Sequence, residues 1–275
     1  MAKIKLAALD VDGTLVRSDL SLAASVARAV ESLRDESIEV AIVTGRCLGE
    51  LIHFRQQFPW IRYFVVSNGA TGYDALENRV FFRQHLPLAV AREIEREACR
   101  YDLLTQVYAD GTSYLSRDCW RQINLYTAEH MHHPSLVAGY TPVDHVGELL
   151  NARKTDVEKL YFSFKDLSDM PRLHSICERF DVDLVVSIQN GLEVTQKGVD
   201  KGSGLVALCK HLGIPRSQTA TVGDSMADVA MFRESGLSIA MENADEQVRQ
   251  NADYVAPHND MDGAVWAATR ILTAR

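Results

Sequence analysis

The sequence predicts a doubly wound α/β protein: a parallel-sheet domain interrupted by an inserted α+β module. Three observations lead there. Short apolar runs alternate with amphipathic helical stretches early in the chain, the same alternation returns at its end, and the stretch between them carries hairpin signals instead. Near-continuous apolar strands separated by helices belong to parallel sheets covered on both faces. With 275 residues, 47% of them hydrophobic, the chain can build one large domain or two modest ones.

In order, Lys5–Leu9 reads as a strand, and Leu22–Arg34 as a helix with Val26, Val30 and Leu33 on one face. Glu39–Val43 is a strand, Gly49–Gln57 is helical, and Tyr63–Ser67 is a strand ending in Asn68-Gly69-Ala70. From about His85 to Asn190 the pattern changes. Thr105–Tyr108 faces Thr112–Ser116 across Asp110-Gly111, a strong hairpin turn, and Lys159–Phe164 alternates. Met170–Phe180 is helical, and Leu184–Ile188 faces Leu192–Thr195 across Asn190-Gly191. The first pattern then resumes. The helix Gly204–His211 stops at Gly213, and Thr219–Val222 is a strand running into Gly223-Asp224. Val229–Arg233 is helical, Leu237–Met241 and Tyr254–Ala256 are short strands, and Gly263–Leu272 is a closing helix. These boundaries place one domain at residues 1–84 and 191–275, with the module at 85–190.

The net charge of −8 and the absence of a basic block argue against nucleic-acid binding. Cys47, Cys99, Cys119, Cys177 and Cys209 are odd in number and lack metal or redox spacing, so they read as reduced thiols of a cytoplasmic protein, with Cys47 a plain helix cysteine. The first residues carry no signal-peptide pattern, and no apolar run is long enough to span a bilayer. His130-Met131-His132-His133-Pro134 reads as a solvated loop, because adjacent histidines rarely converge on one ion.

Chemistry concentrates at strand ends, where open α/β sheets bind ligands. After the first strand come Asp10 and Asp12, two carboxylates at a point where burial is costly unless positive charge is supplied. After the second strand come Thr44-Gly45-Arg46. Lys201 opens a helix, and Asp224 and Asp228 follow the strand Thr219–Val222. Phosphoryl transfer needs such a set, because an anionic ester repels an anionic nucleophile and a divalent cation with a lysine must absorb the charge. Asp10 and Asp224 suit magnesium. Thr44 offers a hydroxyl and nearby backbone N–H groups to phosphate oxygens, and Lys201 offers a point charge. Asp228, four residues beyond Asp224, would share its face on a helix and orient Lys201 or a metal-bound water. Each signal alone has a plainer reading: a calcium loop, a helix cap, a surface lysine, a tight turn. The ordered set does not.

That set resembles the haloacid dehalogenase-like superfamily, and within it the Cof-type phosphatases. The motifs are Asp10-Val11-Asp12-Gly13-Thr14-Leu15, Thr44-Gly45-Arg46, Lys201-Gly202 and Gly223-Asp224-Ser225-Met226-Ala227-Asp228. Ser67-Asn68-Gly69-Ala70, Ala240-Met241-Glu242-Asn243-Ala244, Ala252-Asp253-Tyr254-Val255 and Asp262-Gly263 also match. The resemblance implies a doubly wound, Rossmann-like parallel-sheet core with an inserted α+β cap that covers the site and selects the leaving group. It implies Asp10 as nucleophile, Asp12 as general acid and base, and Thr44 and Lys201 holding the phosphoryl oxygens. Asp10, the Asp12 carbonyl and Asp224 would bind Mg2+, with Asp228 counted in the same metal set. Gly45, Arg46, Asn68 and Asn243 are further candidate substrate contacts, although a helix-start or turn role suits Arg46, Asn68 and Asn243 equally. The subgroup usually has asparagine where this chain has Ala227, which implies magnesium affinity weaker by about tenfold.

The expected activity is a Mg2+-dependent phosphatase of small phosphate esters, sugar phosphates foremost, working as a monomer or homodimer with no nucleic-acid or membrane partner. The alternatives are a phosphotransferase or mutase of the same superfamily, a phosphoacceptor signalling domain, and a silent phospho-ligand binder. A signalling receiver is shorter, carries its accepting aspartate on a later strand and has no use for Asp12. The cap residues Arg117, Arg121, Tyr126, His130 and His132 could face the cleft or lie on the cap surface.

Overall fold

A wholly apolar strand of four buried residues, β1 (Leu6–Leu9), can only sit inside a sheet, and it lies at the middle of one. In the computed structural model, which describes residues 3–127, 133–187 and 190–274, the chain groups into two units. The first unit contains residues up to Gly45, Pro59–Arg83 and the residues from Asp200 onward. Its strands are β1, β2 (Glu39–Val43), β3 (Tyr63–Val66), β4 (Thr71–Asp74), β5 (Arg79–Arg83), β12 (Thr219–Gly223), β13 (Leu237–Met241) and β14 (Tyr254–Ala256). They form one sheet in the order β14-β13-β12-β1-β2-β3-β4-β5. From β14 to β3 every pairing is parallel, so the carboxyl ends of six strands share one edge. The chain runs outward one way from β1 to β3 and the other way from β12 to β14. The switch point therefore falls between β1 and β12.

Helix Ala24–Asp35 buries Val26, Val30 and Leu33, as the sequence predicts, and packs beside helix Gly263–Thr273. Helix Lys201–Leu212 packs against helix Met226–Arg233, burying Leu205, Leu208, Val229 and Phe232 in a shared apolar core.

The antiparallel hairpin β4–β5 at the sheet edge is not anticipated by the sequence reading. The turn between its strands, Ala75 to Asn78, has no Gly or Pro to mark it in the sequence, and Asp74 accounts for that turn. The Asp74 carboxylate accepts from the backbone N–H of Leu76 and Glu77 and pairs with Arg62 at 2.7 Å.

The second unit contains Arg46–Phe58 and Gln84–Val199. Its strands are β6 (Leu103–Ala109), β7 (Thr112–Ser116), β8 (Tyr140–Val143), β9 (Lys159–Phe164), β10 (Val182–Ser187) and β11 (Gly191–Gln196), in the order β10-β11-β9-β6-β7-β8. Both predicted hairpins form, β6–β7 and β10–β11. β11 pairs with β10 and β9, so the boundary falls near residue 200 rather than 190. Segment Arg46–Phe58 groups with this unit, not with residues 1–84, because its Gly49 N–H donates to the Gly111 carbonyl at 2.7 Å.

One face of this second sheet packs apolar residues such as Val107, Leu160, Phe162 and Leu192 against the helices Leu88–Ala98 and Met170–Cys177. The other face carries Lys159, buried and paired with Glu193 at 3.0 Å, and Tyr108 and Tyr161, which pack on Cys47. Cys47 lies in irregular backbone before a short 3-10 turn rather than on a helix, and burial pushes its thiol pKa up. His133 caps the short helix Pro134–Val137, while His130, His132 and Ile188 lie outside the described residues. Among the described residues, no helix is long and apolar enough to cross a membrane.

Candidate active site

The shared carboxyl edge of the first sheet gathers most of the predicted residues. Asp10 continues β1, donating its N–H to the Val222 carbonyl of β12 at 3.0 Å, and is 4% exposed. The chain must then turn sharply, and the N–H groups of Thr14, Leu15 and Val16 all donate to the Val11 carbonyl. Gly13 makes this turn with φ +70°, and a Cβ there would lie 2.1 Å from the Asp224 carboxylate. Glycine is thus required twice, for the left-handed backbone and for the approach of Asp224. Asp12, on the same turn, is only half-buried.

Thr44 ends β2 and is buried. Its N–H donates to the Val65 carbonyl, and its own carbonyl accepts from the Asn68 N–H at 3.0 Å. This ties the end of β2 to the turn Ser67–Gly69 after β3. Asn68 holds a left-handed conformation there, φ 56°, which asparagine tolerates better than most residues. A Cβ on Gly69 would lie 2.0 Å from the Asp200 carbonyl, so this turn abuts the start of helix Lys201–Leu212. Asp200 caps that helix by accepting from the Ser203 N–H at 2.7 Å, which leaves Lys201 as its first residue.

Lys201 is buried with its Nζ 2.8 Å from Asp10 Oδ1 and 2.7 Å from Asp228 Oδ1. Burial alone would lower the lysine pKa, but the two carboxylates outweigh it and hold the ammonium charged above its ordinary range. Burial raises the Asp10 pKa well above the usual carboxylate range; Lys201 opposes the rise, and Asp228, Asp224 and Asp12 add to it. Asp224 is pushed up to about 7 by burial and by Asp228, against the lowering effects of Lys201 and Thr14.

Asp224 and Asp228 converge, though not as the helical spacing suggests. Asp224 precedes the helix Met226–Arg233, so the two do not share a helical face. Asp228 instead folds back on the helix start, where its Oδ2 accepts from the Asp224 N–H, the Ser225 N–H and the Ser225 hydroxyl at 2.8–3.0 Å. Its Oδ1 holds Lys201. Both Asp228 oxygens are therefore engaged by the protein itself.

The donor set fits a hard divalent cation. Oxygens of Asp10, Asp224 and Asp228 lie within 4.8 Å of one another. When all three carboxylates are ionised, the one Lys201 ammonium leaves them short of two positive charges. Oxygen ligands of this kind suit magnesium.

Two of the candidate substrate contacts have protein partners, in line with the structural role that suits them equally. The Asn243 side-chain amide is held on both sides. Nδ2 donates to the Gly13 carbonyl at 2.9 Å and to Asp224 Oδ2 at 3.3 Å, and Oδ1 accepts from the Asn259 N–H. Arg46 belongs to the second unit, where its Nη1 donates to the Glu50 carbonyl at 3.1 Å. Gly45 follows Thr44 as the last residue of its segment in the first unit.

Sequence reasoning leaves Thr14, Ser225 and Asn259 unassigned. Thr14 Oγ1 donates to Asp224 Oδ1 at 3.2 Å. Ser225 and Asp228 have the spacing of a helix capping box, a signal available in the sequence. Asn259 carries no such signal.

The family model for haloacid dehalogenase-like hydrolases matches residues 7–267. The chain is 25% identical to 5-amino-6-(5-phospho-D-ribitylamino)uracil phosphatase YcsE of Bacillus subtilis, across 96% of this chain and 94% of that protein. It is 27% identical to an HMP-PP phosphatase of Klebsiella pneumoniae, across 91% and 89%. Among solved structures, one from Thermotoga maritima superposes with a TM-score of 0.82 at 26% identity, covering 98% of both chains. A subclass IIB sugar phosphatase has the same fold, with a TM-score of 0.81 at 21% identity over 97% of this chain and 98% of its own. The chain belongs to the haloacid dehalogenase-like hydrolases.

Proposed function

We propose that the protein is a Mg2+-dependent phosphatase of small phosphorylated metabolites, sugar phosphates foremost, working through an aspartyl-phosphate on Asp10. The observation that carries this reading is the buried Lys201 ammonium bridging Asp10 and Asp228 beside Asp224, a cluster still short of positive charge. The names of the two curated relatives, each a phosphatase of a small phosphorylated compound, support the substrate class. The five free thiols support a cytoplasmic setting.

Asp10, Asp224 and the Asp12 backbone carbonyl would hold the cation, with Asp228 behind them keeping Lys201 and the Asp224 backbone in place. When bound, Mg2+ supplies the missing positive charge that keeps Asp10 ionised and balances the phosphate. An Asp10 carboxylate oxygen then attacks phosphorus, the bond from phosphorus to the leaving oxygen breaks, and Asp12 gives that oxygen a proton. In the second step Asp12 takes a proton from water, the water oxygen attacks phosphorus, and the bond to Asp10 breaks. Inorganic phosphate leaves and both aspartates return to their starting states. Thr44 through its hydroxyl, the Gly45 backbone N–H that follows it, and Lys201 hold the phosphoryl oxygens. Asn68, beside the Lys201 helix, belongs to the same phosphate-facing edge.

Burial separates the two aspartates by role. Asp10 is sealed against Lys201, whereas half-buried Asp12 can exchange protons with solvent. The test is release of inorganic phosphate from a panel of phosphorylated metabolites, with and without Mg2+. Activity that requires Mg2+ and vanishes in Asp10→Asn is expected. Retained turnover in that variant overturns the nucleophile assignment.

A further inference from the structure

Taking Asp224 as a metal ligand, we propose that Asn243 is a positioning residue that aims the Asp224 carboxylate, and that the loop at His258–Asp262 in turn aims Asn243. Asn243 lies just beyond β13, at the same sheet edge as Asp10 and Asp224. Its amide orientation follows from chemistry. The Asn259 N–H, 3.1 Å away, can only donate, so the group facing it is Oδ1. Nδ2 must then face the other way, toward two acceptors, the Gly13 carbonyl and Asp224 Oδ2.

The remaining contacts complete a chain of support. Asn259 is 5% exposed and its Nδ2 donates to the Val16 carbonyl at 3.0 Å, so the C-terminal loop is fastened to the turn that carries Asp12 and Gly13. Thr14 donates to the other Asp224 oxygen. Each Asp224 oxygen thus receives one protein hydrogen bond, from donors far apart in sequence, and retains lone-pair capacity for a cation. Ala227, which has no polar side chain, leaves this carboxylate without a donor from its own helix. Asn243 and Thr14 supply the donors from β13 and from the turn after β1.

The test is calorimetric titration of Mg2+ into wild type, Asn243→Ala and Asn243→Leu, alongside steady-state kinetics at saturating Mg2+. Leucine approximates the volume of asparagine without its donors, which keeps the test available if the alanine variant packs poorly. Both variants are expected to bind Mg2+ about 10-fold or more weakly, the usual effect of losing a group that orients a ligand. KM for the phosphate ester at saturating Mg2+ is expected to stay within about twofold. Unchanged Mg2+ affinity with a raised KM would make Asn243 a substrate contact and overturn the proposal. Unchanged Mg2+ affinity with only a lowered melting temperature would make it a structural residue and overturn it equally. Failure of wild type itself to bind Mg2+ would instead remove the reading of Asp224 beneath it.

Discussion

Replacing Lys201 with methionine keeps an unbranched side chain, one atom shorter, and removes its charge. In the folded protein, Nζ lies 2.8 Å from Asp10 and 2.7 Å from Asp228, and these three side chains are 4%, 5% and 0% exposed. Removing one partner of a buried ion pair typically costs about 3–5 kcal/mol, because the remaining charges stay uncompensated. Without the ammonium, the folded-state pKa of Asp10 rises further above its unfolded value. A carboxyl so raised contributes stability at low pH and loses it as pH climbs through the folded pKa. The deficit of Lys201→Met should therefore grow as pH rises and shrink on acidification. Hydrogen exchange of the metal-free protein at the peptide spanning β1 reads this out locally. At 1.36 kcal/mol per tenfold, the protection of that peptide should fall by about 150- to 5,000-fold near pH 8. Equal protection in wild type and variant near pH 8, or a deficit that grows on acidification, would refute the reasoning.

Three further outcomes follow from the site. Asp12→Ala should slow hydrolysis of sugar phosphates, whose leaving alkoxide needs a proton, by about 100-fold or more, and p-nitrophenyl phosphate much less; equal losses count against Asp12 as the proton donor. Gly13→Ala places a Cβ 2.1 Å from Asp224 Oδ2 at a left-handed position, costing about 1–2 kcal/mol in backbone strain alone, and should raise the half-saturating Mg2+ concentration; an unaltered value would mean that Asp224 does not depend on this turn. Because Asp224 is pushed up to about 7 by burial and by Asp228, a cation must displace its proton in acid, so half-saturating Mg2+ should fall as pH rises through about 7; a flat profile between about pH 5.5 and 8 would contradict this.

What the sequence shows and what it hides have physical causes. β1 and β2 are legible because strands buried on both faces are uniformly apolar, and Asp10 stands out against Leu6–Leu9 because a carboxylate there needs a partner. Lys201 is legible as the start of a helix, but its reach to Asp10 depends on β12 lying beside β1, which is a matter of topology. The i, i+4 argument for Asp224 and Asp228 brings together the right pair for the wrong reason, since a capping box does the work. Asn243 and Asn259 are opaque because two turns more than 200 residues after Gly13 must fold onto it before either amide has a partner. The β4–β5 hairpin is hidden because its turn, Ala75 to Asn78, has no Gly or Pro to mark it, and the domain boundary drawn at residue 190 cuts between the two strands of the β10–β11 hairpin that the sequence itself shows.

The placement of β1 between β2 and β12 also bears on how the protein is made. Asp224 is 210 residues downstream of its partner Thr14. At ordinary translation rates the ribosome needs roughly 10–40 s to cover that distance. Throughout that interval the N-terminal strand has no neighbour on its β12 side, and an apolar strand with an open edge is a template for pairing with other chains. The emerging polypeptide thus carries an open apolar strand edge until its last fifth is translated.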